Sequence, residues 1–129
     1  MYRSLMALAA ADGIAFGLGN LLLPDIVLSI LGGEVNALGG SIFQTLGAAI
    51  LGYGVVAWFL RELEDGPIRR GVIAGVVISF ATIALVVGLA VLSGLLNLLA
   101  WAVVGIHAAV AIGLLIVLLR PAAPALTPR

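Results

Sequence analysis

Asp12 and His107 are the side chains of this sequence that carry the most chemistry, because each is an ionisable group set in an apolar run. Asp12 stands nine residues after Arg3, and His107, the single histidine, stands thirteen residues before Arg120. At about 1.5 Å per helical residue, these spacings place Asp12 roughly 13 Å and His107 roughly 19 Å from the same face of a layer that both helices cross. A carboxyl and an imidazole at similar depth can share or pass a proton, or can hold a small polar ligand. Ionisable groups in apolar helices are costly and mark function by default. Tyr53, Ser79 and Thr82 fall near the same depth. The candidate ligand or proton site is therefore Asp12, His107, Tyr53, Ser79 and Thr82. The competing reading is that Asp12 snorkels or, protonated, donates to a backbone carbonyl, while His107 bonds a Ser, a Thr or a carbonyl.

Other chemistries lack their residues. The chain has no cysteine, so disulfides, iron–sulfur clusters and thiol catalysis are excluded. No cluster has metal-ligand spacing. One histidine does not make the two-histidine haem site of a bundle unless a second copy supplies its own. No phosphate-binding loop, dinucleotide fingerprint or nucleophile–base pair is present. The expectation is a protein without cofactor, without metal and without enzymatic activity. Net charge is zero, which leaves no basic footprint for nucleic acid.

The elements that must carry these residues follow from composition. Of 129 residues, 64% are hydrophobic and 9% charged. Soluble domains carry about 25% charge, so too little polar surface remains here to cover a water-exposed globule. The segment 72–119 holds 48 residues and no charged side chain. As one helix it would be roughly 72 Å long, against a bilayer core of about 30 Å. It must fold back, and Ser93-Gly94 is the hinge that a tight turn requires. The expected spans are about 4–23, 38–60, 68–92 and 96–119. They make an all-α integral membrane four-helix bundle, up-down-up-down, as a single domain over 1–119. A frame from Gly13 to Leu31 would bury Pro24 and Asp25 and break the backbone ladder in lipid, so the first span stops before Pro24. Residues 24–37 are too short to cross again and predict a short interfacial helix. Residues 61–70 (RELEDGPIRR) predict a solvated loop with internal ion pairs. Residues 120–129 predict a Pro-rich disordered tail.

All six arginines, at positions 3, 61, 69, 70, 120 and 129, fall on one side of a four-span topology. The opposite loops hold Asp25 and Glu34 without a basic residue. The positive-inside rule then puts both termini in the cytoplasm of a cell whose plasma membrane the chain spans several times. Ala9-Ala10-Ala11 faintly resembles a signal cleavage site, but the apolar stretch before it is shorter than a signal needs.

Small residues recur at four-residue spacing in every span: Gly13 and Gly17; Ala48 and Gly52; Gly71 and Gly75, then Ala84 and Gly88; and Gly105, Ala109 and Gly113. Residues i and i+4 share a helix face, so each set makes a shallow groove for another backbone. These grooves suit packing within the chain or association with other helices. Asn20, Gln44, Thr45 and Asn97 form a second polar layer near the opposite face, suited to amide bonds between helices or to a head group or quinone ring.

The stretches FGLGNLLLPDIVLSILGG at 16–33 and LGAAILGYGVVAWFLRE at 46–62, with the length and the four spans, resemble the small four-span prokaryotic membrane proteins of the DoxX-like class. The resemblance implies a four-helix membrane bundle. It implies little about activity, although a few members are associated with quinone-linked sulfur oxidation, and no catalytic residue is carried across. The functional expectation is a non-enzymatic accessory or scaffolding subunit acting through helix packing. Its partners would be the lipid bilayer and either further copies or a larger membrane complex. The alternatives are a binder or carrier of a small apolar, quinone-like ligand, and a proton-coupled transporter using the mid-membrane polar layer.

Overall fold

The computed structural model describes residues 1–34 and 36–120; the expected disordered tail lies outside the described residues beyond Arg120. Five helices follow in order: α1 (Tyr2–Leu22), α2 (Pro24–Ile30), α3 (Ala37–Leu60), α4 (Pro67–Leu92) and α5 (Ala100–Leu119). The four long helices are each long and apolar enough to cross a membrane. The chain is a multi-pass, all-helical membrane bundle.

Local chemistry sets the boundaries. α1 stops where Leu23 leaves helical geometry (φ −137°, ψ 48°), and Pro24 opens α2 at a first-turn position where its missing N–H costs nothing. This break excludes the longer first span from Gly13 to Leu31. Asn36 caps α3, its side-chain oxygen accepting from the Gly39 N–H at 2.8 Å. At the far end of α4, Gly94 takes φ +77°, and the N–H groups of Leu95 and Leu96 turn back to the Ala90 carbonyl. The last span was expected from about residue 96, but α5 begins at Ala100. Asn97 is the reason. Its side-chain oxygen accepts from the Leu99 N–H at 2.9 Å, and its own N–H donates to the Leu31 carbonyl at 2.8 Å, so residues 95–99 belong to a turn tied to α2.

α1 runs antiparallel to α3 and to α5, and α4 runs antiparallel to α5, in the up-down-up-down course. The α1–α3 seam is the closest. A methyl placed on Gly13 would stand 2.9 Å from the Gly54 Cα, and one on Gly17 would stand 2.5 Å from the Leu51 nitrogen. Lipid tails are as apolar as leucine, so backbone approach of this kind, rather than burial from water, holds the helices together. α4 reaches α3 through side chains: the Phe80 and Tyr53 rings lie 6.3 Å apart.

Among the described residues twelve hydrophobic ones are buried, while Leu38, Phe59, Ile68 and Leu119 are each more than 70% exposed. That distribution fits lipid as the solvent of the outer surface. The five described arginines gather at one end. There Arg3 pairs with Glu62 at 2.8 Å, Arg69 pairs with Asp65 at 3.6 Å, and the Tyr2 hydroxyl donates to the Leu60 carbonyl at 2.7 Å. Arg70 donates to the Leu118 and Arg120 carbonyls at 3.5 and 2.9 Å, covering the open end of α5. The opposite end is closed by Asn97, whose amide donates to the Ile30 carbonyl at 2.8 Å.

Candidate functional site

Asp12 lies near the middle of α1 and His107 near the middle of α5, and the antiparallel pairing of these helices brings them together. His107 Nε2 and Asp12 Oδ2 are 3.4 Å apart, with side chains 6% and 9% exposed. The other ring nitrogen, Nδ1, is 2.8 Å from the Val103 carbonyl one turn back on α5. A carbonyl only accepts, so Nδ1 carries a proton and Nε2 is the atom presented to the carboxyl.

Aromatic rings hold the imidazole in place. Phe80 of α4 stacks on it at 4.7 Å and 30°, and Phe16 of α1 meets it edge-on at 6.5 Å. Tyr53 of α3 packs on Phe80. Its hydroxyl oxygen is buried and has no hydrogen-bond partner among the described residues. All four long helices therefore contribute to one mid-membrane cluster.

The candidate residues divide. Asp12, His107 and Tyr53 gather in this cluster. Ser79 precedes Phe80 and is half-buried, and Thr82 is exposed on the outer face of α4. Thr82 is therefore not part of the cluster: two positions past Phe80, the helix has turned about 200° at 100° per residue. Phe80 and the Val103 carbonyl were not foreseen. A lone phenylalanine in an apolar helix carries no signal, and a backbone carbonyl carries none by definition.

The small residues divide too. Gly13 and Gly17 sit in the α1–α3 seam, and a methyl on Gly113 would meet Leu5 of α1 at 3.0 Å. On α3 the glycines of this seam are Gly47, against Asn20 and Leu21, and Gly54, against Gly13; they stand seven residues apart, and Gly17 meets Leu51. A search at four-residue spacing passes over a heptad pair. Gly52, Gly71, Gly75 and Gly105 have no atom within 4 Å of a would-be Cβ, and all four are exposed, as are Ala48 and Ala109. In the second polar layer, Gln44 donates to the Leu21 carbonyl at 3.2 Å, Thr45 bonds Ser41 of its own helix, and Asn20 is 4% exposed.

The described residues hold no group of three or more His, Cys, Asp or Glu side chains able to bind a metal ion. No family model, curated protein or solved structure matches the chain.

Proposed function

We propose that this protein is a small, non-enzymatic membrane subunit that works by packing its outer helix faces against other transmembrane helices. The observation that carries this reading is the outward placement of small residues on three helices: Ala48 and Gly52 on α3, Gly71 and Gly75 on α4, Gly105 and Ala109 on α5. A methyl on any of these four glycines would meet no other atom of the chain within 4 Å, and the two alanines are exposed. In lipid, a shallow small-residue face gains most from a second backbone laid along it. The reading places the arginine-bearing end in the cytoplasm and the bundle in the plasma membrane, in accord with the positive-inside rule. The likeness to DoxX-like four-span proteins belongs to the same proposal.

The proximity of Asp12 and His107 favours a second, proton-linked role. The aromatic packing around the imidazole favours a proton over a bulky ligand.

The test is chemical cross-linking and native mass measurement of the full chain in lipid nanodiscs or its native membrane. Gly75→Leu and Gly105→Leu are compared with wild type. The expected result is a discrete assembly in wild type that is lost in these variants, with the helical spectrum of the chain unchanged. A wild-type chain that stays monomeric and captures no membrane partner overturns the proposal.

A further inference from the structure

The buried residues are distributed unequally along the membrane normal. Tyr2, Met6, Ala9, Ala10, Ala57, Ile73, Val76, Val110, Ala111 and Leu114 all lie on the arginine-bearing side of the Asp12–His107 level. Phe80 lies at that level. Among the described residues, those buried on the other side are Gly13, Gly17, Asn20, Gly47, Gly54, Gly88 and Ala100. One half of the bundle is an apolar plug. Among the described residues, the other half fully buries no side chain larger than asparagine.

That half also holds unmet hydrogen-bonding capacity inside the bundle, while the third such atom, Arg69 Nε, lies at the arginine-bearing end beyond the apolar residues. The Asn20 Oδ1 and the Tyr53 hydroxyl are buried, and neither has a partner among the described residues. Buried polar atoms that no protein group satisfies are the ones ordered water meets. Asn20 stands eight residues beyond Asp12, about 12 Å along α1 at 1.5 Å per residue. Two water-seeking oxygens thus mark a line from the arginine-free end toward the carboxyl.

We propose that Asp12 and His107 form a one-proton exchange site, reached through the Asn20 and Tyr53 oxygens from the arginine-free side of the membrane and sealed from the other side. The proton count follows from geometry. Nδ1 keeps its hydrogen on the Val103 carbonyl. With no proton between Nε2 and Oδ2, a lone pair faces a carboxylate. With two, an N–H faces an O–H. One proton shared between the two atoms leaves a neutral buried pair and is the arrangement that a low-dielectric site favours. Exchange adds or removes that proton alone, with water on the arginine-free side as donor or acceptor. Titratable groups facing the pair are few: Tyr53 comes from α3, while α4 presents Phe80. The arginines and acids of the other end stand beyond the apolar plug.

The single histidine makes the test direct. Full-length protein carrying ¹⁵N-histidine is placed in phosphatidylcholine–phosphatidylglycerol vesicles. Orientation is read with an impermeant thiol reagent on Glu64→Cys, an exposed position in a chain that has no other cysteine. The pH is then changed on one side at a time while the His107 nitrogen signals are followed. The expected result is a prompt response from the arginine-free side and none from the other. Asn20→Leu slows the response without moving its end point, and Asp12→Asn moves its midpoint. Response from the arginine-bearing side, equal response from both, no response at all, or an Asn20→Leu response as fast as wild type overturns the proposal.

Discussion

Replacing Gly17 by alanine tests the α1–α3 seam directly. The new methyl would stand 2.5 Å from the Leu51 nitrogen, 2.6 Å from its Cα and 2.8 Å from its Cβ. Carbon contacts settle near about 3.5–4.0 Å, so the two helices must separate by about 1 Å. A radial gap of about 0.5–1 Å forfeits a quarter to a half of each contact's attraction, and the loss spreads to Gly13, Gly47 and Gly54 along the seam. Overpacking costs about 1–3 kcal/mol, and rigid backbone as the obstacle puts this site at the upper end. Against that, alanine gains about 0.5–1 kcal/mol over glycine within a helix. The net expectation is a loss of about 2 kcal/mol. Gly105→Ala is the control, since its methyl meets nothing within 4 Å and keeps the gain alone. Reversible unfolding of both variants in one bilayer or micelle system should separate them by about 3 kcal/mol. Equal stability, or a Gly17→Ala variant more stable than Gly105→Ala, would refute backbone-close packing as the force holding α1 to α3.

A double-mutant cycle on Asp12→Asn and His107→Gln should return a coupling of about 0.5–3 kcal/mol, whereas additivity would mean that the 3.4 Å contact carries no energy. Gly32 adopts φ +82°, and an added methyl would meet Asn97 at 3.0 Å, so Gly32→Ala should lower stability by about 1–2 kcal/mol through the left-handed backbone alone. Denaturation should also show Gly94→Ala, at φ +77° with nothing within 4 Å, costing less than Gly32→Ala.

The sequence by itself determined the number of spans and most of their limits. Those features depend on hydrophobic length, on Pro24 and on the Ser93-Gly94 hinge, all of which act locally or through the bilayer. It also singled out Asp12, His107 and Tyr53, because an ionisable or hydroxylic group in an apolar helix is visible against its background. Tertiary structure decided what these residues touch. Whether Asp12 meets His107 depends on the rotation and register of α1 against α5, and four residue periods fit a helix face equally well before a partner is chosen. For the same reason only the fold could sort the glycines into Gly13, Gly17, Gly47 and Gly54, which face another backbone, and Gly52, Gly71, Gly75 and Gly105, which face outward. The late start of α5 was hidden likewise, since the Asn97 bonds that delay it reach back 66 and 67 residues to the Leu31 and Ile30 carbonyls, a contact that no local pattern encodes.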